Sequence, residues 1–246
     1  MKKTSVVVFV LVLMVMGFLG IMPAPAISSI TGAYGYLTVP GTNVPRKGEI
    51  TINSGYIFSP GNFYLSVNTS IVERWELWAG KELPVGEGTS MASTPYIMGT
   101  KVMFYGSRRG GFRAAVGLQL ELLGREYSVD GPPVTLFGMI SENAGKLGYI
   151  STGMGYTLGV DAGYRINFFL GLRKALIGEQ LFAVGEFTNF SLRQGLELGW
   201  NEHRGIFNAG LALRLTDFME FKFYTLDLFD RFLTVGLGGT FKIKAF

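Results

Sequence analysis

Apolar and polar side chains alternate along residues 233–245: Leu233, Val235, Leu237, Phe241, Ile243 and Ala245 share one parity, and Thr234, Thr240, Lys242 and Lys244 the other. Successive side chains of a strand point to opposite faces, so this stretch is a strand with one oily and one polar face. Residues 112–122 repeat the pattern: Ala114, Val116, Leu118, Leu120 and Leu122 oppose Arg113, Ala115, Gly117, Gln119 and Glu121. Residues 192–200, 207–215 and 219–224 do so again, with Leu196, Leu211 and Phe221 on oily faces and Glu197, Arg214 and Glu220 on polar ones. Weaker alternation predicts strands at 49–58, 63–72, 75–83, 97–105, 134–141, 147–158, 166–173 and 181–188.

Together these segments number thirteen. A closed antiparallel barrel with both termini on the periplasmic side takes an even number of strands, so the tally is off by one or includes residues 33–39 as a short first strand. The expected fold is all-β: a transmembrane antiparallel up-and-down β-barrel of 12–14 strands, with 14 preferred. Reversals fall at Ser59-Pro60-Gly61-Asn62, Gly110-Gly111, Asn143-Ala144-Gly145-Lys146 and residues 201–205, all rich in turn formers. The longer connections, 84–96 and 124–133, belong at the outer surface of such a barrel, yet parity counted over thirteen strands sends them to the other side. One strand assignment is therefore in error. Trp75, Tyr96, Tyr105, Tyr149 and Trp200 lie near strand ends, where amphipathic rings meet the membrane interface.

The chain opens with Lys2 and Lys3, an apolar run over 6–22, and Ala24-Pro25-Ala26. This is the layout of a cleaved secretory signal over residues 1–26; the competing reading is an uncleaved membrane anchor. Residues 27–48 form a lead-in with the short first strand just mentioned, and 49–246 the barrel domain. The 48% hydrophobic content never collects after residue 26 into a run long enough for a spanning helix. Thirty-five glycines and 14% aromatics suit strands, and the absence of cysteine excludes disulfides, thiolate metal sites and an N-terminal lipoprotein anchor. The formal charge of +4 includes the two signal lysines, and nothing in the balance argues for nucleic acid.

With oily faces toward lipid, the lumen-facing set is Glu76, Lys101, Arg113, Glu121, Arg173, Glu186, Arg193, Glu197, Arg214, Glu220, Lys222, Lys242 and Lys244. A basic bias in a water-filled pore favours anions. The other reading is that these charges pair across the lumen and fill it. His203, the single histidine, lies in a turn with no partner motif, and one histidine without cysteine makes a transition-metal centre a poor fit. No catalytic residue, metal ligand or cofactor site is expected. Gly153-Met154-Gly155 and Gly236-Leu237-Gly238-Gly239 fall inside strands and read as bends or packing space rather than phosphate cradles.

Thr31-Gly32-Ala33-Tyr34-Gly35-Tyr36-Leu37-Thr38-Val39-Pro40, followed by Arg46-Lys47-Gly48-Glu49, resembles the opening of the YjbH-related, exopolysaccharide-associated outer-membrane barrels. Val72-Glu73-Arg74-Trp75-Glu76-Leu77-Trp78-Ala79-Gly80 and Val184-Gly185-Glu186-Phe187-Thr188 resemble later strand ends of that family. The resemblance implies an outer-membrane barrel linked to polysaccharide export or envelope assembly, and carries over no catalytic residue. A terminal Phe246 is similar to the carboxy-terminal signal read by the barrel-assembly machinery. The expected protein is thus an exported, non-enzymatic outer-membrane barrel, a small diffusion channel or a structural envelope protein. Its expected partners are outer-membrane lipid, the assembly machinery, and small solutes or polysaccharide. The alternative is a soluble periplasmic β-sandwich or lipocalin-like binder whose oily faces meet around a core.

Overall fold

The computed structural model describes residues 27–30, 32–58, 61–85, 96–107, 110–122, 132–159, 166–189, 205–228 and 234–245. Two short strands, β1 (Ile27–Ser28) and β2 (Tyr34–Gly35), pair with each other. The wall follows as β3 (Glu49–Ile57), β4 (Asn62–Thr69), β5 (Trp75–Pro84), β6 (Tyr96–Ser107), β7 (Gly110–Leu122) and β8 (Val134–Asn143). It continues as β9 (Tyr149–Leu158), β10 (Ile166–Ile177), β11 (Leu181–Thr188), β12 (Ile206–Thr216), β13 (Met219–Leu226) and β14 (Thr234–Lys244). Each wall strand pairs antiparallel with its sequence neighbour, and β14 returns to β3 with Gly236 opposite Ile57 and Lys244 opposite Glu49. The result is a closed, twelve-stranded up-and-down barrel.

Twelve is the lower end of the expected range, not the preferred fourteen, and two segments account for the difference. Residues 192–200 lie outside the described residues, and β11 pairs directly with β12 from Leu181 opposite Leu213 to Thr188 opposite Ile206, which leaves no gap in the wall for a strand between them. Residues 33–39 are not a wall strand either: they sit inside the barrel, with Ala33 and Val39 wholly buried. Removing both restores the parity. The connections after β3, β5, β7, β9, β11 and β13 now share one end, which therefore holds both long connections. The other end carries the short turns and the approach to β3. Register irregularities in β6, β10 and β12 all lie next to those short turns, where bulges bend a barrel rim.

The alternation that builds the wall places oil outside. In β4, Asn62, Tyr64, Ser66 and Asn68 are buried, while Phe63, Leu65 and Val67 are exposed. Met98, Val116, Met154, Leu170, Phe223 and Ile243 extend that exposed apolar surface around the barrel. Over β6–β10 the outer face carries an apolar groove of about 760 Å³ between Val102, Val116, Leu136, Met154, Tyr156 and Ile166. No helix among the described residues is long and apolar enough to cross a membrane, which says nothing about crossing by strands.

Inside, bulky rings lie over glycines of neighbouring strands. A Cβ on Gly153 would strike the Phe169 ring, one on Gly236 the Tyr224 ring, and one on Gly117 the Phe137 ring. The glycine runs inside the strands are packing space, one of the two roles expected of them.

Candidate functional site

The lumen is occupied by the chain's own residues 27–30 and 32–45, a plug that joins the wall at the short-turn end. There Gly48 donates its N–H to the Ser70 carbonyl (2.8 Å) and accepts from Ala245 N–H (2.8 Å). The plug folds on itself through Ile30 N–H to Leu37 O (2.7 Å), Tyr36 N–H to Val39 O (2.9 Å) and Gly41 N–H to Tyr34 O (3.0 Å). Gly35 has to be glycine, because a Cβ there would lie 2.6 Å from Gly41 N and closer still to the Val39 carbonyl. Its apolar side chains, among them Ile30, Leu37 and Val44, join the core formed by Trp78, Phe137, Phe169 and Phe182.

Most plug peptide groups have no strand partner, and a buried peptide group without a hydrogen bond is costly. Charged and amide side chains of the wall meet them. Glu186 on β11 accepts from the N–H groups of Leu37 (3.1 Å), Thr38 (2.9 Å) and Val39 (3.4 Å), from the Thr38 hydroxyl, and from Asn208 Nδ2 on β12 (2.6 Å). Glu76 on β5 accepts from Tyr34 N–H (2.5 Å) and pairs with Lys101 on β6 at 2.9 Å. Lys101 in turn donates to the carbonyls of Tyr34 (2.8 Å) and Gly41 (2.6 Å). Asn68 Nδ2 donates to Gly32 O (2.6 Å) and Asn53 Nδ2 to Ser29 O (3.4 Å).

Side chains of the plug complete the contact. Tyr36 O–H donates to Ser151 Oγ (2.7 Å), and burial pushes its phenol far above the ordinary tyrosine range. Thr42 Oγ1 donates to Ser141 Oγ (2.8 Å) and lies 2.9 Å from Tyr149 OH, while Arg113 on β7 donates to Asn43 Oδ1 and to Tyr149 OH (3.1 Å). Lys242 Nζ donates to Tyr34 OH (2.8 Å).

Of the residues assigned to the lumen from sequence, Glu76, Lys101, Arg113, Glu121, Arg173, Glu186, Glu220 and Lys222 are buried, and Arg214 and Lys242 are half-buried. Five of them, Glu76, Lys101, Arg113, Glu186 and Lys242, touch the plug directly. Glu121 lies apart, accepting from Gln119 Nε2 at 3.3 Å, and Arg173 pairs with Glu220 at 3.0 Å. Lys244 is exposed at the end of β14; Arg193, Glu197 and His203 lie outside the described residues.

The plug and its neutral partners Ser141, Ser151, Asn68 and Asn208 were not foreseen. A signal was there: no charged residue occurs between Lys3 and Arg46, so a stretch with no ionic group of its own precedes a wall with many. Among the described residues no three His, Cys, Asp or Glu side chains gather as a metal site would require.

No family model matches this chain, and no curated protein matches it in sequence. Solved structures do match in fold. A KdgM porin superposes with a TM-score of 0.57 at 7% identity, covering 78% of this chain and 98% of the porin. A NanC porin gives 0.51 at 10% identity over 78% of this chain and 98% of its own. An active-site mutant of outer membrane phospholipase A from Escherichia coli gives 0.46 at 12% identity over 85% and 94%. The two porins establish a shared fold: this chain has the closed, antiparallel, up-and-down β-barrel architecture of those structures.

Proposed function

We propose that the protein is an integral outer-membrane barrel, exported by its N-terminal signal and inserted by the barrel-assembly machinery. Its lumen is closed by residues 27–45 and passes small solutes when that plug is displaced. The observation that carries this reading is the hold on the plug. Glu186 and Glu76 accept from plug N–H groups and Lys101 donates to plug carbonyls, hydrogen bonds that water can replace, beside the apolar contacts of Ile30, Leu37 and Val44. The reading is non-enzymatic: five of the lumen's charged groups, Glu76, Lys101, Arg113, Glu186 and Lys242, are engaged with the plug.

The test uses the absence of native cysteine. Thr42 and Ser141, whose hydroxyl oxygens lie 2.8 Å apart, become a cysteine pair in T42C/S141C. Oxidation should abolish conductance steps in a planar bilayer, and reductant should restore them. Steps that persist in the oxidised, cross-linked protein would refute the gate.

The second reading is a permanently plugged structural envelope protein. It is favoured by the spread of the plug's partners around the wall, from Asn53 on β3 to Lys242 on β14. A wild-type protein silent at every voltage would select it. The likeness of residues 31–49 to the YjbH-related openings supports a tie to polysaccharide export. An unchanged exopolysaccharide yield in a deletion strain would remove that tie.

A further inference from the structure

Beneath the plug, toward the short-turn end, the wall gathers an excess of positive charge. Arg214 on β12 stands opposite Glu220 on β13, which stands opposite Thr240 on β14; Lys222 lies two residues from Glu220 on the side away from the short turns, and Lys242 two residues from Thr240 on the side toward them. Arg173 reaches this patch from β10 and pairs with Glu220 Oε2 at 3.0 Å. On the way its guanidinium lies 4.1 Å from the centre of the Phe182 ring, and Arg214 places a second guanidinium 5.3 Å from the same ring. Tyr34 of the plug roofs the group, accepting from Lys242 Nζ at 2.8 Å. The titratable groups acting on one another here are thus four cations, Arg173, Arg214, Lys222 and Lys242, against two carboxylates, Glu220 and Glu49, with the Tyr34 phenol above.

Arg173 has donors to spare in this cluster. Arg173 is 1% exposed, yet its Nε and Nη1 have no hydrogen-bond partner in the protein; its single carboxylate contact goes through Nη2. Burying an excess of positive charge with guanidinium donors unmet is strongly unfavourable. A guanidinium has a fork of donors suited to the oxygens of a phosphate or carboxylate. Arg214 and Lys242, at the short-turn side of the cluster, are half-exposed, whereas Arg173 and Lys222 are buried.

We infer that the Arg173–Arg214–Lys222–Lys242 cluster is a binding site for a small, doubly charged oxyanion of the phosphate or dicarboxylate class, taken up from the short-turn end of the barrel. The site exists with the plug in place, so it stands whether or not the barrel conducts.

The test is calorimetric titration of the full-length, detergent-purified protein with inorganic phosphate and, separately, with succinate at low ionic strength, with sodium chloride as the control for screening. Saturable binding of either dianion, weakened at least tenfold in R214Q and in K222Q and unchanged in K244Q, is the expected result. Lys222 is buried and K222Q risks misfolding, so R214Q and K242Q, at half-exposed positions, carry the comparison if it does. Each variant is checked for a barrel by its mobility shift on boiling. No saturable heat with either dianion, or binding that R214Q and K242Q leave unaltered, would overturn the assignment; chloride binding equally well would do the same. The readout is binding and not current, so its failure is separate from failure of the gate.

Discussion

Glu186 receives the N–H groups of three successive plug residues and the hydroxyl of Thr38. Hydrogen bonds to a charged group contribute about 1.5–3 kcal/mol each, and donors left buried without a partner cost a similar amount. E186A should therefore loosen the plug far more than a substitution on the outer wall. A thiol at Leu37, which is 2% exposed, reports this. Labelling of L37C by a membrane-impermeant maleimide should rise at least about tenfold in the E186A background, since about 1.4 kcal/mol already changes an equilibrium tenfold. Equal rates would mean that Glu186 does not hold the plug. At this scale the sequence reading reached the face but not the partner. Alternation sends Glu186, Glu76 and Lys101 inward. Their acceptors and donors, however, are backbone groups of residues 34–41, up to 149 positions away, and periodicity carries no information at that range.

The plug is one element and the wall strands are twelve, and they were legible to different degrees. β7 and β14 carry clear alternation, and their positions follow from it to within two residues at each end. β10 runs to Ile177, past the expected end at residue 173, because Lys174 and Ala175 continue the pairing to β11 where the alternation breaks at a bulge. The reversal expected at Asn143–Lys146 is a turn of 3-10 helix over Gly145–Leu147, and the strand after it starts at Tyr149 rather than at residue 147. The plug could not be read as an element, since its short ribbon and turns have no period, and its fit depends on Gly35 lying against the Val39–Gly41 backbone. G35A should dislodge that turn without touching the wall. Its expected signature is faster L37C labelling with an unaltered mobility shift on boiling. Unaltered labelling would show that the plug tolerates the added methyl group by shifting as a body.

As a whole, the molecule reverses the layout of a soluble β protein, with Leu65, Met154 and Phe223 outside and Glu76, Lys101 and Arg173 inside. That inversion makes the solvent of the outer wall testable. Met154 is 65% exposed on the outer face of β9, near the middle of the strand. For a protein whose outer surface meets water, M154R would change stability by no more than about 0.5 kcal/mol. In a bilayer the cost is about 2–4 kcal/mol at the midplane. Unfolding by urea from lipid vesicles distinguishes the two. A variant as stable as the wild type would favour the β-sandwich or lipocalin-like alternative, which the closed, oil-outside wall does not.

The seam between β14 and β3 joins the last wall strand to the first, and the plug precedes both in the chain. The order of events in time follows from this. During synthesis residues 27–45 emerge before every wall strand, while Glu186 and Lys242, which hold them in the finished molecule, emerge later. A cylinder that sealed early would have to be threaded through its short-turn mouth by a segment carrying Tyr36 and Leu37. If the sheet is instead still open when the plug settles on β4, β5 and β6, the later strands curl over an object already in place. The plug then acts as a mandrel over which the twelve strands close.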